Sequence, residues 1–272
     1  MILSSFDEQF PFLDLFIHEL ADGYRAGEIN SWDDLNKRVK ALFTFEMLDK
    51  MEAIVPHWRK MTSYVNGVTL THVMCVFMGM YIMPEFLSLK AEQQQIMKWT
   101  ILLHDIEKEP QEHKRDYPHA FRSAVSTARI LPKLGFPVTD EYSSLIDDWS
   151  KFTFSAITKL NDSPDDVQDN KKLPEILNGI ECLFGQNTPA TLITKTVLLH
   201  LSIDMNSWPP PNPLTDDEVK QYVNKDLMPL LKVMNLADND GWTLFHPPVR
   251  ERQRQDVIEE FEKIDILLRY NL

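Results

Sequence analysis

Hydrophobic and polar positions along the chain repeat mainly with the period of an α-helix. Between residues 6 and 26 the large apolar side chains follow helical spacing, and Gly27 supplies a plausible stop. Ser31 then precedes a second stretch with acidic residues in its first turn, as a helix N-cap does. No run of alternating apolar and polar residues is long enough to predict a strand. We therefore predict an all-α protein that begins with a helical hairpin.

Two later apolar stretches are predicted to be buried helices, and each contains polar side chains that packing does not require. The first surrounds His72 and is apolar over most of its circumference. The second starts near Ile96, closes with the adjacent pair His104 and Asp105, and stops before Pro110. A buried charge is costly unless it is paired. These side chains therefore indicate a partner, and a metal ion is the obvious one.

A third apolar stretch is predicted to complete the same site. It begins with Thr188 as N-cap and Pro189 in the first turn. His200 and Asp204 follow at a spacing of four, so a continuous helix would present them on one face. Asp204 is the predicted last ligand, whereas His200 is interpreted as a packed residue or a support behind the ligands.

Proline and glycine divide the chain into three predicted parts. The proline-rich run from Trp208 to Pro213 is predicted to end the core, and Asn239-Asp-Gly241 is interpreted as a turn between two C-terminal helices. Residues 1–60 would form an N-terminal helical extension, residues 61–210 a metal-binding core and residues 211–272 a C-terminal helical extension. We expect the three parts to form one compact unit.

Composition restricts the possible partners. Hydrophobic residues make up 43% and charged residues 25% of the 272 residues, which is ordinary for a globular protein. The net charge of −13 argues against binding extended nucleic acid, although a small nucleotide in a local basic pocket stays compatible. The apolar runs are interrupted before the roughly 20 residues of a membrane span, and the N-terminus lacks the basic segment of a secretory signal. With two cysteines, each among apolar neighbours, the sequence favours a reducing cytoplasm.

The order of the polar residues resembles a known family. His72, then His104 and Asp105, then Asp204 is similar to the ligand order of the HD-domain superfamily of metal-dependent phosphohydrolases. The segment His104-Asp-Ile-Glu-Lys108 resembles the family's His-Asp-Ile-Gly-Lys, with Glu107 where glycine is usual. Residues 118–137 are similar to the family's next helix, which often begins with histidine and ends in Leu-Gly-Phe-Pro. The resemblance covers about half of the chain and implies an HD-domain-like helical bundle.

One divalent metal ion is the expected cofactor. The resemblance implies that His72, His104, Asp105 and Asp204 bind it. Two neutral imidazoles and two carboxylates carry a charge that balances a divalent ion, and mixed nitrogen and oxygen ligands suit Mn, Fe, Mg, Ni, Co or Zn. Such an ion lowers the pKa of a bound water and polarises a phosphoryl oxygen. The implied activity is hydrolysis of a phosphorylated small molecule, such as a nucleotide.

Catalytic roles are assigned to residues beside the expected metal. Asp105 would also orient the attacking water, and Lys108 would neutralise phosphate charge. His113 or His119 would donate a proton to the leaving oxygen, because the polar connection after the His-Asp pair is expected to cross the mouth of the site.

Two alternatives from other classes stay open. Some HD-fold proteins resemble myo-inositol oxygenase, in which additional histidines hold a second iron. Here His119 and either His113 or His200 would have to supply them, and the absence of histidine from 121 to 199 favours a single metal. The other alternative is a non-catalytic helical binding or regulatory module, which the charged Glu107 beside the expected metal supports.

Overall fold

The computed structural model describes residues 5–63, 68–109, 115–159 and 166–269, and this part of the chain is mostly helical. The helices in chain order are α1 Phe6–Gln9, α2 Pro11–Arg25, α3 Trp32–Leu42, α4 Phe45–Ile54, α5 Lys60–Ser63, α6 Val68–Ile82, α7 Pro84–Leu87, α8 Ala91–Leu103, α9 His119–Ile130, α10 Tyr142–Phe154, α11 Leu173–Phe184, α12 Pro189–Leu199, α13 Asp216–Tyr222, α14 Met228–Thr243 and α15 Pro247–Arg269. Short 3-10 turns cover Leu131–Leu134 and Asn170–Lys172. The prediction of a mainly helical protein is confirmed.

A small β-hairpin is the exception that the sequence did not predict. Strands β1 (Ile157–Lys159) and β2 (Asp166–Gln168) pair antiparallel, with Thr158 opposite Val167. Three residues are too short for an alternating pattern to be recognised. Residues 160–165, which connect the two strands, lie outside the described residues.

Capping side chains define several helix boundaries at the positions predicted from the sequence. The Ser31 hydroxyl accepts a hydrogen bond from the Asp34 backbone N–H at the start of α3, and Thr188 does the same for Thr191 at the start of α12. Gly27 follows α2 with a φ of 75°, a left-handed conformation that glycine adopts at little cost. Helices α2 and α3 follow one another as predicted, and both pack against α6.

Helix α6 lies at the centre of the molecule. Its residues from Thr69 to Tyr81 are buried, so the helix is enclosed on all sides. It packs against α2, α3, α8 and most extensively α14. One hydrophobic core runs from Phe6 to Ile264 and contains residues of all three predicted parts. None of the described helices combines the length and the apolar content that crossing a bilayer requires.

Helix α14 corrects the predicted turn at residues 239–241. Asn239, Asp240 and Gly241 all lie inside this continuous helix. Gly241 is needed for a close helix contact, since a Cβ added there would lie 2.5 Å from His72 Cε1 and from Val76 Cγ2. Glycine at a crossing point lets two helix backbones approach, and this is why the Asn-Asp-Gly sequence misled the turn prediction.

Gly241→Ala tests the helix contact. The added methyl should displace His72 or separate α6 from α14 and lower the free energy of unfolding by about 1–3 kcal/mol, as overpacking does. Gly23→Ala in α2 is the matched control, because there the nearest atom is the flexible Ile29 Cδ1 at 3.2 Å and alanine favours the helix. Urea unfolding measures both. Equal stabilities for the two variants would contradict the close approach at Gly241.

Candidate metal centre

Three helix ends present the imidazoles of the candidate site. Helix α8 ends at Leu103, so that His104 is its C-cap, and α12 ends at Leu199, so that His200 is its C-cap. His119 is the first residue of α9. All three side chains are buried. The partial negative charge at the C-terminal ends of α8 and α12 favours a cation near His104 and His200.

His72, His104 and Asp238 form the first group whose ligand atoms lie close enough together to hold a metal ion. His72 Nε2 lies 2.9 Å and His104 Nε2 lies 3.8 Å from Asp238 Oδ1. The His104 Nδ1–H donates to the Ile101 carbonyl at 2.8 Å, so Nε2 carries the lone pair. That buried Nε2 has no hydrogen-bond partner among the described residues, which leaves it available as a ligand.

Asp105, His119 and His200 form the second such group. His119 Nδ1 donates to the Asp116 carbonyl and His200 Nδ1 to the Val197 carbonyl, because a carbonyl oxygen can only accept. Both Nε2 atoms therefore carry lone pairs, yet they face each other at 3.3 Å. His119 Nε2 also lies 2.8 Å from Asp105 Oδ1, a third acceptor.

A proton on one of the rings or a metal cation would resolve this arrangement. Three acceptors that face one another repel unless a positive charge lies between them, and buried polar groups are normally satisfied. Imidazole and carboxylate are ligands that divalent transition metals accept. Each His–backbone hydrogen bond also fixes the ring orientation, as in established metal sites. The residues present thus fit two metal positions.

Asp105 connects the two groups. Its Oδ1 lies 3.7 Å from His104 Nε2, and its Oδ2 lies 3.6 Å from His72 Nε2. Lys108 Nζ donates to Oδ2 at 2.7 Å. The carboxylate can therefore face both metal positions with different oxygens, while Lys108 fixes its orientation.

Electrostatics favour the charge states that metal binding requires. Burial raises the pKa of Asp105, but the Lys108 ammonium and the adjacent imidazoles outweigh it and hold that pKa well below its usual range. For Asp238, burial is likewise outweighed by the His72 hydrogen bond, and the pKa is lowered. Burial lowers the pKa of His104, and burial with the neighbouring His119 and His104 lowers the pKa of His200 to about 3. At neutral pH the carboxylates are charged and these two imidazoles keep their lone pairs.

Asp204 requires a correction. The structure leaves it exposed and outside both groups, and the carboxylate that meets His72 and His104 is Asp238. The prediction placed Asp204 one helical turn after His200, but α12 ends at Leu199 and the i, i+4 relation does not apply. Asp238 was missed because residues 239–241 were interpreted as a turn. The available signal was an acidic residue directly after the mainly apolar run from Leu227 to Ala237.

The other predicted site residues fall into three classes according to where the structure places them. His72, His104 and Asp105 are brought together as expected, and Lys108 contacts Asp105. His119 is in the second group, and its Nδ1 donates to the Asp116 carbonyl. His113 lies outside the described residues.

The Glu107 carboxylate contacts residues outside both metal groups. Its carboxylate contacts His57, Lys60 and Ser126, none of which belongs to either group. Burial raises the pKa of Glu107, but the hydrogen bonds from Lys60, Ser126 and His57 lower it overall. The charged side chain at the position where the family has glycine therefore ties α9 to the segment before α6, and it does not approach the ligands.

Arginines of α15 also have structural partners. Arg250 makes a bidentate interaction with the buried Asp240 through Nε at 2.8 Å and Nη2 at 2.7 Å. Arg254 contacts both Asp240 and Glu85. These contacts join α15 to α14 and α7, so both arginines serve packing between helices.

A cleft with a volume of about 450 Å³ opens over the cluster. His119, His200 and Asp238 contribute to its wall, which gives both groups access to a ligand in the cleft. Trp242 also lines it, stacks on His72 at 4.2 Å between ring centroids and receives Lys108 Nζ 5.6 Å from its ring centroid. Trp242 thereby contacts both His72 and Lys108 and restricts their orientations.

Asp238→Asn compared with Asp204→Asn tests the corrected ligand. The first variant should bind Mn²⁺ roughly 100-fold more weakly or worse, because the loss of a metal contact exceeds the 10–100-fold cost of losing a supporting hydrogen bond. Asp204→Asn should bind Mn²⁺ like the unchanged protein. Titration calorimetry measures the affinities. The reverse order of effects would restore Asp204 as the ligand.

Acidification tests the burial of neutral His200. In chelator-treated protein the unfolded chain takes up a proton below about pH 6.5, whereas folded His200 stays neutral down to about pH 3. The free energy of unfolding should thus fall by about 1 kcal/mol per pH unit from this group as the pH drops below 6.5. Urea unfolding at pH 7, 6 and 5 checks this, and His200→Gln should show a shallower dependence. Identical slopes would mean that His200 is protonated in the folded protein.

Comparisons with protein-family models, with curated proteins and with solved structures give no match to this chain. The functional argument therefore depends on the geometry of the cluster and its cleft.

Proposed function

We propose that the chain is a metal-dependent phosphohydrolase of the HD type that acts on a phosphorylated small molecule, such as a nucleotide. The observation that carries the proposal is the convergence of four imidazoles and two carboxylates in two groups beside a lysine. Three of these six side chains line an open cleft. This ligand chemistry suits divalent metals.

Six residues would hold two divalent ions. His72, His104 and Asp238 would bind one, and Asp105, His119 and His200 would bind the other. When bound, such ions lower the pKa of a coordinated water, so that it becomes a nucleophile near neutral pH, and they polarise a phosphoryl oxygen. The proposal differs from the single ion expected from the sequence, because His119 and His200 supply a second set of ligands.

The charge of the site suits a phosphate ester. Asp105 and Asp238 offset only half of the charge of two divalent ions, and the other ligands are imidazoles. Burial lowers the pKa of Lys108, but Asp105 and Asp238 raise it overall, so its ammonium stays charged. An anionic group entering the cleft therefore meets a positive site. Lys108 would bind a phosphoryl oxygen while its contact with Asp105 keeps the ammonium in place.

Asp105 has a second role in the proposal. Its two oxygens face different imidazoles and Lys108, so the carboxylate can accept a hydrogen bond from the attacking water and orient it. His119 is not assigned the proton transfer to the leaving oxygen, because its remaining nitrogen faces Asp105 and His200.

An HD-fold di-iron oxygenase is the second candidate. The observation that favours it is the pairing of His119 with His200 beside Asp105, which is the additional histidine pair that such an enzyme needs. The two candidates share the ligands and differ in the reaction. Protein freed of metal with a chelator and reloaded separately with Mn²⁺, Co²⁺, Zn²⁺ or Fe²⁺ distinguishes them. Phosphate release from nucleotides or simple phosphomonoesters supports the hydrolase, whereas substrate-dependent oxygen uptake with two irons per chain supports the oxygenase.

Lys108→Met tests the role of the lysine in hydrolysis. Removing the ammonium should lower kcat/KM for phosphate release by about 100-fold, the scale of losing one charge-stabilising donor. Phosphate release is compared at saturating Mn²⁺, because Lys108 is outside both ligand groups but orients Asp105, and its loss should weaken metal binding by about 10–100-fold. The exposed Lys151→Met is the control and should retain full activity. Full activity of Lys108→Met at saturating Mn²⁺ would contradict the assigned role.

A further inference from the structure

One face of α14 extends from the metal ligand along the cleft. Asn235, Asp238, Asn239 and Trp242 all contribute to the cleft wall, and their spacing of three and four residues places them on one side of the helix. Asp238 belongs to the metal group and Trp242 stacks on His72. The two asparagines have no part in either contact.

Asn239 carries an unsatisfied amide in this wall. Its side chain is 6% exposed, and Nδ2 has no hydrogen-bond partner among the described residues. Leaving a buried donor unpaired costs about 1–3 kcal/mol. Nδ2 is enclosed in this conformation, but Asn239 lines the cleft, and rotation about the last side-chain bond would bring the amide to an acceptor on a bound molecule.

Asn235 supplies the complementary group. Its Nδ2 donates to the Leu231 carbonyl at 2.9 Å, which orients the amide and leaves the side-chain oxygen as an acceptor. Gln253 and Thr243 also line the cleft, and the Thr243 hydroxyl donates to the Asn239 backbone carbonyl. This wall thus offers uncharged donors and acceptors close to the metal ligands.

Uncharged donors and acceptors fit hydroxyl groups. A hydroxyl both donates and accepts, so neighbouring hydroxyls can pair with an amide N–H and an amide oxygen at once. A second phosphate would require a cation, and the α14 residues that line the cleft include none; Arg115, which also lines the cleft, lies before α9. Tyr117, Trp208 and Trp242 add aromatic surface to the same cleft, which suits the apolar face of a sugar ring.

We propose that Asn239, together with Asn235, forms a specificity subsite for the hydroxyl groups of the organic part of the substrate, so that a sugar phosphate or a ribonucleotide is preferred over its deoxy analogue. This inference rests on the proposed function for the anchoring of the phosphate at Lys108 and the metal groups. Asn239 is a positioning residue for the ligand and takes no part in bond breaking.

Binding measured by calorimetry tests the subsite without requiring turnover. The probes are ribose 5-phosphate and 2-deoxyribose 5-phosphate, titrated into Mn²⁺-loaded protein on ice to suppress hydrolysis. The unchanged protein should bind the hydroxylated sugar roughly tenfold more tightly, as one or two hydrogen bonds predict. Asn239→Leu, similar in shape but without the amide, should abolish the difference and bind the deoxy sugar as before.

The outcomes separate this inference from the proposed function. Ribonucleotide and 2′-deoxyribonucleotide pairs, used as a second set of probes, show whether the discriminating hydroxyl belongs to a free sugar phosphate or to a nucleotide. Equal affinities of the unchanged protein within both pairs would overturn the subsite, as would discrimination that survives in Asn239→Leu. Failure of phosphate release with discrimination intact would overturn hydrolysis alone. Unchanged Mn²⁺ affinity of Asn239→Leu shows that the variant is folded with its ligands in place.

Discussion

The arrangement on which the site depends is the opposition of two imidazole lone pairs. His119 and His200 each hold their proton on Nδ1 because a backbone carbonyl accepts it, and their Nε2 atoms face each other at 3.3 Å beside the Asp105 carboxylate. Neither ring can turn to relieve the repulsion without losing its backbone hydrogen bond. A cation between these acceptors would remove the conflict, and the buried side chains lie close enough together to hold one.

The helices hold these side chains together without destabilising the rest of the fold. His104 and His200 stand at helix C-terminal ends, where the dipole favours positive charge, and the flanking apolar turns are buried in the common core. Gly241 allows α14 to approach α6 closely enough for Asp238 to reach His72 at 2.9 Å. The C-terminal helices thereby supply part of the site, and a fragment ending before α14 would lack one of its two carboxylates.

Much of the architecture follows from local signals. Capping residues such as Ser31 and Thr188 and the stop at Gly27 predicted helix boundaries, since each acts through hydrogen bonds or backbone freedom within a few residues. His72, His104 and Asp105 were recognisable as polar residues in apolar helices. Asp238 was not, because the choice between it and Asp204 depends on where α12 ends and on how α14 crosses α6. Both depend on tertiary structure. The sequence Asn-Asp-Gly looks the same locally whether it forms a turn or lies at a helix crossing.

The sequence offered His119 with either His113 or His200 as additional ligands, but local reasoning could not choose between them. His119 and His200 are 81 positions apart, and only the packing of α9 on α12 brings them together. The single ion expected from the sequence therefore becomes two proposed positions, with Asp105 between them. This change keeps an oxygenase in consideration beside the hydrolase, because a second metal position is common to both.

Anomalous diffraction from crystals of this protein grown with Mn²⁺ tests the two-position account most directly. The account predicts two separate peaks, one bounded by His72, His104 and Asp238 and the other by Asp105, His119 and His200. A map that lacks the peak at one or both groups, at saturating Mn²⁺ and neutral pH, would contradict it.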